Sequence, residues 1–418
     1  MRLPGDKSIS HRYAMLAAIA EGTSEVRSFS SSADCQSTLD CLKKLGVKIE
    51  RHNQDITIHG ARLRGLRQPA GRLDAGNSGS TMRMLSGILA GQSFRSAIVG
   101  DASLSRRPMK RIIDPLTQMG ARVQASQDGL PPLEIEGGRL KPISYELPVP
   151  SAQVKTAILL AGLYAEGETE VVEPTATRDH TEIALEQMGA DIGRHGRTIA
   201  VRGLLEKGAQ LEAKKFYVPS DISAAAFFIV AGLLVPDSNL VLQNVGLNPT
   251  RTAILDLLVR MGGRVKTLDV DSIGGELVGN IHLETSVLAG GEISSAAVPG
   301  LIDELPVLAV LGTQTQHGLA FHGAAELRVK ESDRLKAVAD NLRRMGAVVE
   351  EFPDGLSLAG KQALHGAEIE SYGDHRIAMA FAIAGLVAQG TTLIRDSRCV
   401  EISFPDFFDV LGRAAEPK

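Results

Sequence analysis

Apolar helical runs recur along the chain, and each one follows a short polar opening. The runs with their openings occupy residues 6–20, 77–90, 151–162, 220–232, 301–312 and 373–385. Ser, Asp and Asn in the openings are residues that accept hydrogen bonds from the free N–H groups at a helix start. The runs themselves are apolar on nearly every face, which predicts helices that are buried inside their domains rather than lying on the surface.

A second recurring element is a short helix ending closed by glycine. It occurs as LKKLG at 42–46, LTQMG at 116–120, LEQMG at 185–189, LVRMG at 258–262 and LRRMG at 342–346, with a weaker copy, FDVLG, at 408–412. Alternating stretches that predict half-buried strands come behind most copies: DITIHG at 55–60, LEIEG at 133–137, TIAVRG at 198–203 and LSLAG at 356–360. The repeating unit therefore contains a helix, a strand, a second helix and two strands. Six units in 418 residues indicate two α/β domains of three units each.

Composition and charge narrow the class of protein. Lys plus Arg number 45 and Asp plus Glu 49, giving a net charge of −4, so the chain has no general attraction for nucleic acid or for an anionic membrane. Cys35, Cys41 and Cys399 form no CxxC pair and lack metal-type spacing, which favours a reducing compartment. The N-terminal residues show no apolar signal core, and the run at 157–163 is too short to span a bilayer. We expect a cytoplasmic, soluble protein without nucleic-acid or membrane partners.

The polar openings carry more than helix capping requires. Their charged and amide side chains include Lys7, Arg12, Arg83, Gln153, Asp303, His375 and Arg376. One reading is that these openings only cap helices. The other is that several helix N-termini face one cleft and bind anions, since each offers free N–H groups and the positive end of a dipole. One terminus contributes only about 0.3–2 kcal/mol, so binding a small polyanion also requires the cations.

Three segments of the N-terminal half fit the anion-binding interpretation. Lys7 and Ser8 begin a predicted helix, with Arg12 one turn further on the same face as Ser8. The glycine-rich turn at 76–83 permits close backbone approach to a ligand, although alone it is a weak signal. Arg107 precedes a proline, which predicts an extended conformation, and we expect its side chain to point inward.

The C-terminal half supplies candidate acids and bases. Lys330 and Arg334 share a face of a predicted helix, with Glu331 beside them. A solvated, salt-bridged helix start is the alternative reading of this segment. Asp303 lies at the start of an apolar helix, where it acts either as a catalytic carboxylate or only as a cap.

Seven ordered motifs resemble the signature segments of 5-enolpyruvylshikimate-3-phosphate (EPSP) synthases. They are PGDKSISHR, GNSGSTMR, DASLSRRPM, SAQVK with TRDHTE, LIDELP, LRVKESDRL and YGDHRIAM. The resemblance runs from residue 4 to about 408, and SAQVK and TRDHTE are similar to the class II branch. It implies an inside-out α/β barrel fold of two domains, each of three βαβαββ units, with the active site in the interdomain cleft. Residues 6–219 would form the N-terminal domain, and residues 1–5 with 220–418 the C-terminal domain.

The resemblance also assigns the site. Shikimate 3-phosphate would be bound by Ser8, Arg12, Ser151, Ala152, Gln153, Arg178, Asp303 and Lys330. Phosphoenolpyruvate would be bound by Lys7, Gly79, Ser80, Arg107, Gln153, Arg334 and Arg376, and Asn77 belongs to the same substrate-binding set. Asp303 and Glu331 would move protons. Some members carry a lysine just before the Phe-Pro-Asp segment, where this chain has Ile402 and Ser403, so one phosphate contact is replaced or absent.

The implied chemistry is addition followed by elimination, which requires no cofactor and no metal. Lys330 and Arg334 should favour the ionised form of Glu331. We therefore hypothesise that Glu331 becomes an acid only when both anionic substrates are bound. Gly79 leaves room for glyphosate, the herbicide that inhibits this family, which predicts that the protein is sensitive to it. From the resemblance we also expect a monomer.

Two other functions compete with this one. The sister enzyme that transfers enolpyruvyl to UDP-N-acetylglucosamine shares the fold, but it carries a reactive cysteine on a loop in the first third of the chain. The three cysteines here fall elsewhere, and the loop at 100–112 has Ser and Arg instead. A non-catalytic scaffold that binds polyanions is the second alternative, and it predicts that the acid and base carboxylates are missing.

Overall fold

The computed structural model describes residues 1–205 and 208–415. Within these residues the chain folds into two compact units. The N-terminal unit comprises Gly5–Val218 with Ile273–Glu276, and the C-terminal unit comprises Met1–Pro4, Pro219–Ser272 and the described residues from 277 on. Among the described residues, no helix combines the length and the apolar character needed to cross a membrane.

The N-terminal unit alternates helices and strands throughout. Its elements are α1 (Lys7–Ala18), β1 (Glu21–Arg27), α2 (Ala33–Lys44), β2 (Lys48–His52), β3 (Asp55–Ala61), β4 (Leu73–Asp74), α3 (Gly79–Ala90), β5 (Arg95–Val99), α4 (Lys110–Gln118), β6 (Arg122–Ala125), β7 (Leu133–Glu136), β8 (Ser144–Glu146), α5 (Ala152–Gly162), β9 (Glu168–Val172), α6 (His180–Gln187), β10 (Ile192–His195), β11 (Thr198–Arg202) and β12 (Lys215–Tyr217).

These strands form three four-stranded sheets with one shared topology. The strand orders are β12-β1-β3-β2, β4-β5-β7-β6 and β8-β9-β11-β10. In each sheet the first pair is parallel and the other two pairs are antiparallel. The triplication read from the helix endings is therefore present in the backbone of this unit.

The C-terminal unit uses the same alternation. Its elements are α7 (Ile222–Leu234), β13 (Asn239–Gly246), α8 (Ala253–Arg260), β14 (Arg264–Ile273), β15 (Glu276–Glu284), β16 (Gly291–Ile293), α9 (Val298–Leu301), α10 (Leu305–Gln314), β17 (Leu319–Phe321), α11 (Arg334–Arg344), β18 (Val349–Phe352), β19 (Gly355–Leu358), β20 (Glu368–Glu370), α12 (His375–Val387), β21 (Leu393–Arg395) and α13 (Phe407–Ala415).

Only one sheet of this unit, among the described residues, repeats the four-stranded pattern. That sheet has the order β16-β17-β19-β18, beside a three-stranded sheet β13-β15-β14 and a two-stranded parallel sheet β20-β21. The last repeat ends in α13, and no strand pair follows it in the part of the chain that the structure describes. Six complete βαβαββ units were therefore too many. FDVLG at 408–412 is not a helix ending, because Gly412 lies inside α13.

The other five helix endings are confirmed. Each helix stops two residues before its glycine, and the glycine takes a positive φ that other residues adopt only at a cost. These glycines are Gly46 (φ 90°), Gly120 (φ 108°), Gly189 (φ 82°), Gly262 (φ 91°) and Gly346 (φ 86°). The four alternating stretches are strands β3, β7, β11 and β19, as predicted.

The apolar runs form the buried helices α1, α3, α5, α7, α10 and α12. Each unit has its own apolar core, one drawn from Ile9–Val218 and the other from Leu3 and residues 222–411. One start differs from the expectation. α10 begins at Leu305 rather than near residue 301, because the short helix α9 occupies Val298–Leu301.

Candidate active site

The start of α1 presents a cation held by a neighbouring helix. Asp6 caps the helix by accepting a hydrogen bond from the backbone N–H of Ile9 at 2.8 Å. Lys7 Nζ lies 2.8 Å from Asp34 Oδ2 at the start of α2, and the lysine side chain is 17% exposed. The ammonium group is therefore both oriented and reachable from solvent.

Arg12 lies buried one turn further along α1. Its guanidinium donates to the carbonyl oxygen of Ser8 at 2.9 Å, to Thr181 Oγ1 at 2.8 Å and to Thr156 Oγ1 at 3.1 Å. Arg178 donates to Ser8 Oγ at 2.9 Å. The predicted shared face of Ser8 and Arg12 is confirmed, and the two arginines converge on the same helix start.

The starts of α3 and α5 meet through Gln153. Its side-chain amide donates to Ser80 Oγ at 2.8 Å and accepts from Arg83 Nη1 at 2.7 Å. Ser151 is the N-cap of α5 and accepts from Val154 N–H. Ala152, the first residue of α5, offers only its backbone.

Arg107 takes the extended conformation predicted from the following proline, with φ −87° and ψ 131°. It is buried, and it donates to Asn77 Oδ1 at 2.9 Å. A Cβ atom on Gly79 would lie 3.3 Å from Arg107 Nη1 and 3.5 Å from Arg83 Nη1. Gly79 thus leaves space beside one nitrogen of each of two arginines at the start of α3. We use the name N-terminal cluster for the residues described so far, which are Lys7, Ser8, Arg12, Asn77, Gly79, Ser80, Arg83, Arg107, Ser151, Ala152, Gln153 and Arg178.

A buried ion-pair network lies behind the N-terminal cluster. Lys155 Nζ on α5 lies 3.2 Å from Glu173 Oε1 and 2.6 Å from Glu182 Oε1, and the side chains of Lys155 and Glu173 are fully buried. Glu173 also accepts from the backbone N–H of Thr177, next to Arg178. Burial raises the pKa of Glu182, although Lys155 opposes the shift. The network ties α5 to the segment that carries Arg178.

Arg334 organises a second group in the C-terminal unit. It is 1% exposed, and it donates to Asp374 Oδ2 at 2.8 Å, to Asp374 Oδ1 at 3.2 Å and to Glu331 Oε2 at 2.6 Å. Burial disfavours its charged form, but Asp374 and Glu331 more than compensate and raise the pKa of Arg334. Glu331 is thus a carboxylate paired with a permanent cation.

Asp303 lies between two arginines of this group. Its carboxylate oxygens are 3.8 Å from Arg334 Nη1 and 3.7 Å from Arg376 Nη2, and its backbone carbonyl accepts from Arg376 Nη1 at 2.7 Å. The N-cap of α10 is Glu304, which makes no side-chain capping bond. Asp303 therefore faces the arginines rather than serving as that helix's cap residue.

Glu304 is buried beside Asp303 and accepts a short hydrogen bond from Ser223 Oγ. Burial raises the pKa of Glu304, and the negative charge of Asp303 raises it further. Together, Asp303, Lys330, Glu331, Arg334, Asp374 and Arg376 form what we call the C-terminal cluster.

The expectation that Lys330 and Arg334 share a helical face is wrong. Ala325–Val329 form a 3₁₀ turn, and α11 begins only at Arg334, because Asp333 caps it by accepting from the backbone N–H of Lys336 at 3.0 Å. Lys330, Glu331 and Ser332 lie in the loop between these helices. Burial lowers the pKa of Lys330, partly opposed by Asp303 and Glu326.

Ile402, which stands where some family members have a lysine, packs against the apolar core of the C-terminal unit.

Comparison with known proteins identifies the family. Residues 1–411 match the sequence model of EPSP synthase (3-phosphoshikimate 1-carboxyvinyltransferase). The chain belongs to the EPSP synthase family. A 3-phosphoshikimate 1-carboxyvinyltransferase of Solibacter usitatus is 55% identical over 414 residues, covering 99% of this chain and 96% of the relative. One of Bacillus cereus is 48% identical over 415 residues, covering 99% and 96%.

Solved structures agree with this assignment. An EPSP synthase from Acinetobacter baumannii superposes with a TM-score of 0.87 at 45% identity, covering 99% of this chain and 95% of that one. The enolpyruvyl transferase NikO from Streptomyces tendae superposes at 0.79 with 19% identity, covering 99% and 94%, and shows the fold alone. The chain is therefore an enzyme of the EPSP synthase family with its mixed α/β fold.

The residues assigned from the family motifs fall into the two clusters, one in each unit. Their supporting partners were not identified from sequence, and these are Asp34, Thr156, Thr181 and Asp374. Thr181 and Asp374 lie inside quoted motifs, so the motifs held a signal for them. Asp34 lies in no motif, and only the packing of α2 against α1 brings it to Lys7. Within the described ranges, no group of three or more His, Cys, Asp or Glu side chains has the geometry to bind a metal ion.

Proposed function

We propose that this member of the EPSP synthase family transfers the enolpyruvyl group of phosphoenolpyruvate to the 5-hydroxyl of shikimate 3-phosphate and releases phosphate. The observation that carries the proposal is the pair of carboxylates on one buried arginine: Glu331 Oε2 lies 2.6 Å and Asp303 Oδ1 3.8 Å from the guanidinium of Arg334. A binding scaffold without chemistry would not need two carboxylates at its cationic centre.

The N-terminal cluster supports the binding roles. Its helix starts offer free N–H groups beside fixed cations, which is the arrangement that binds phosphate and carboxylate groups. We propose that shikimate 3-phosphate is bound by Ser8, Arg12, Ser151, Ala152, Gln153, Arg178, Asp303 and Lys330. Phosphoenolpyruvate is bound by Lys7, Asn77, Gly79, Ser80, Arg107, Gln153, Arg334 and Arg376. We also propose that the two units are the family's two domains.

Two proton transfers complete the addition step. The 5-hydroxyl oxygen bonds to C2 of phosphoenolpyruvate and its proton passes to the Asp303 carboxylate, while protonated Glu331 gives a proton to C3. The adduct carries a methyl group at C3 and keeps its phosphate at C2. In the elimination step, Glu331 takes a proton back from the methyl group as the C2–O bond to phosphate breaks, and the proton held by Asp303 passes to the departing phosphate. Atoms and charges balance without an oxidant or a reductant.

Glu331 needs a proton that Arg334 disfavours, because an adjacent cation stabilises the carboxylate. Binding of the two anionic substrates near Arg334 and Lys330 offsets these positive charges. Glu331 then becomes a competent acid only in the ternary complex. Bringing two bound reactants together lowers the activation barrier by roughly 7–11 kcal/mol through proximity.

Three further properties belong to the proposal. The protein acts as a cytoplasmic monomer. Glyphosate inhibits it at the phosphoenolpyruvate site, since Gly79 carries no methyl group beside Arg107 Nη1. Ile402, which is partly buried against the core, makes no contact with phosphate.

A phosphate-release assay tests the proposed function. Purified protein is incubated with phosphoenolpyruvate and either shikimate 3-phosphate or UDP-N-acetylglucosamine. We expect phosphate release only with shikimate 3-phosphate. Release only with UDP-N-acetylglucosamine would establish the sister activity, and release with neither acceptor would support the non-catalytic alternative.

A further inference from the structure

Arg328 makes an unusually complete set of bonds at the edge of the C-terminal cluster. Its Nη1 donates to Asp333 Oδ2 at 2.9 Å and to Asp333 Oδ1 at 3.1 Å. Nη1 and Nη2 also donate to Glu351 Oε1 at 3.1 and 3.2 Å. Nη2 reaches the carbonyl of Phe352 at 2.6 Å, and Nε reaches that of Pro353 at 2.7 Å. Every nitrogen of the guanidinium therefore has a protein acceptor.

These bonds enclose the loop 330–332, which carries Lys330 and Glu331. Arg328 precedes the loop, and Asp333 follows it as the N-cap of α11. The Arg328–Asp333 pair therefore joins the two ends of the loop, and the bonds to Glu351, Phe352 and Pro353 attach that pair to the end of β18. The loop has no regular secondary structure of its own, so its conformation depends on such side-chain bonds.

The attachment is charged but not a simple surface ion pair. The side chains of Arg328, Asp333 and Glu351 are 27%, 35% and 21% exposed. Although its surroundings desolvate it, bonding to Asp333 and Glu351 raises the pKa of Arg328, so that the guanidinium stays charged. The planar guanidinium holds its donors in fixed directions, so its bonds to two carboxylates and two carbonyls fix direction as well as distance, which an ammonium group does not.

We propose that Arg328 is a positioning residue for the reaction: by joining Asp333 to the end of β18, it fixes the loop that places Glu331 against Arg334 and Lys330 beside it. This inference rests on the proposed function, because it assigns Arg328 an effect on the proton transfer made by Glu331. Arg328 itself touches neither Glu331 nor Arg334 through any of the bonds described above.

The first experiment compares Arg328→Gln with the wild type at saturating substrates. Displacement of a catalytic group by about 1 Å can cost up to 10²-fold in rate, so we expect kcat to fall by roughly 10- to 100-fold. Arg328→Lys keeps the charge but loses the fork, and should recover only part of that loss. An Arg328→Gln enzyme with wild-type kcat would overturn the inference.

A double-mutant cycle separates positioning from general destabilisation. If Arg328 acts through Glu331, Arg328→Gln lowers kcat strongly in the wild type but only slightly in the Glu331→Gln enzyme. Equal loss in both backgrounds would mean a merely structural role and would overturn the proposal. A wild-type enzyme without phosphate release would instead remove the proposed function, and this inference with it.

Two more variants guard against a folding artefact. Asp333→Asn keeps a residue that caps helices well but weakens the bond to Arg328, so kcat should fall while Tm stays near the wild-type value. Arg343→Gln is the matched control, because Arg343 lies 3.5 Å from the same Glu351 and donates to Val349 at 3.1 Å. Its kcat should be unchanged. If Arg328→Gln does not fold, a normal kcat in Asp333→Asn refutes the proposal.

Discussion

At the scale of single residues, shared partners set the chemistry of the C-terminal cluster. Arg334 is buried and bonds to Asp374 and Glu331, while Asp303 lies within 4 Å of both Arg334 and Arg376. Removing a carboxylate from such a group leaves a buried cation less compensated. Substitutions here should therefore be isosteric if they are to report on chemistry rather than on folding.

Glu331→Gln removes the proposed acid and keeps its size and one hydrogen-bond acceptor for Arg334. General acid catalysis contributes about 10²–10⁴-fold, so kcat should fall by that factor while both substrates still bind. Steady-state phosphate release measures kcat, and calorimetric titration measures binding. Glu350→Gln, on the exposed side of β18, is the control and should behave as the wild type. Unchanged turnover in Glu331→Gln would remove this residue from the mechanism.

Gly79→Ala tests the space in front of Arg107. The new methyl group would lie 3.3 Å from Arg107 Nη1, so the guanidinium must shift and any ligand on that face meets the methyl group. We expect the KM for phosphoenolpyruvate and the inhibition constant of glyphosate both to rise, by roughly tenfold if the cost is about 1.4 kcal/mol.

The control for that substitution is Gly138→Ala, where an added Cβ meets nothing within 4 Å. Both constants should remain at their wild-type values in this variant. An inhibition constant for the wild type far above its KM for phosphoenolpyruvate would contradict the predicted sensitivity to glyphosate.

The conformation of a residue was easier to predict from sequence than its partners. Arg107 is extended because a proline follows it, and that is a local steric rule. The pairing of Lys7 with Asp34 depends on how α2 packs against α1, and no local pattern encodes it. The predicted helical face shared by Lys330 and Arg334 was wrong, because the capping bond of Asp333 makes the helix begin only at Arg334.

At the scale of elements, a series of buried hydrogen bonds joins the helices α1, α2 and α3. His11 on α1 shares a hydrogen bond of 2.7 Å with Thr38 on α2, and Thr38 shares one of 2.7 Å with Thr81 on α3. Thr81 also bonds to Ser78, the N-cap of α3, at 2.8 Å. These hydrogen bonds fix the spacing of the helix starts that carry Lys7 and Gly79.

Because His11 belongs to this hydrogen-bond series, the stability of the protein should depend on pH. Burial, with the charges of Lys7 and Arg12, lowers the pKa of His11 well below its usual 6.5. Below about pH 6.5 the unfolded state therefore binds a proton that the folded state does not. The free energy of unfolding should fall as pH drops below 6.5, by up to about 1.4 kcal/mol per pH unit from this group.

Urea unfolding at pH 7.5 and pH 5.0 measures the effect. His11→Gln, which keeps a polar group beside Thr38, should lose less stability than the wild type over that interval. His52→Gln changes an exposed histidine and should keep the wild-type difference. Equal pH dependence in wild type and His11→Gln would show that His11 is not responsible.

Lys155→Met tests the network that ties α5 to the segment carrying Arg178. The change leaves Glu173 and Glu182 buried without their lysine. Breaking a buried pair in this way costs about 3–5 kcal/mol of unfolding free energy. Adding Glu182→Gln should recover part of the loss, since Glu173 keeps Arg194 at 3.1 Å. A loss below about 1 kcal/mol in Lys155→Met, by urea unfolding, would contradict the account.

At the scale of the whole molecule, sequence periodicity predicted most of the architecture. Polar openings and glycine endings recur, and three sheets of identical topology in the N-terminal unit follow from them. The incomplete last repeat was missed because FDVLG resembles a helix ending, although no alternating strand pattern comes after it. Side-chain pairing within each cluster was not predictable, because it depends on tertiary packing.

The phosphoenolpyruvate contacts proposed for Lys7 and for Arg376 can be tested separately in the whole molecule. Lys7→Met in the N-terminal cluster and Arg376→Met in the C-terminal cluster each remove one cation. Each change should raise the KM for phosphoenolpyruvate by at least about tenfold, since charged hydrogen bonds contribute about 1.5–3 kcal/mol. If only Lys7→Met raises KM, Arg376 does not bind phosphoenolpyruvate.

The central claim is that enolpyruvyl transfer passes through an adduct whose C3 is a methyl group. The most direct measurement is the mass of the product formed from shikimate 3-phosphate and phosphoenolpyruvate in D₂O. Because a solvent-derived deuteron is added at C3 and one of three hydrogens is then lost, we predict that deuterium appears in the enolpyruvyl group of the product. A product formed with no deuterium at C3 would contradict the account.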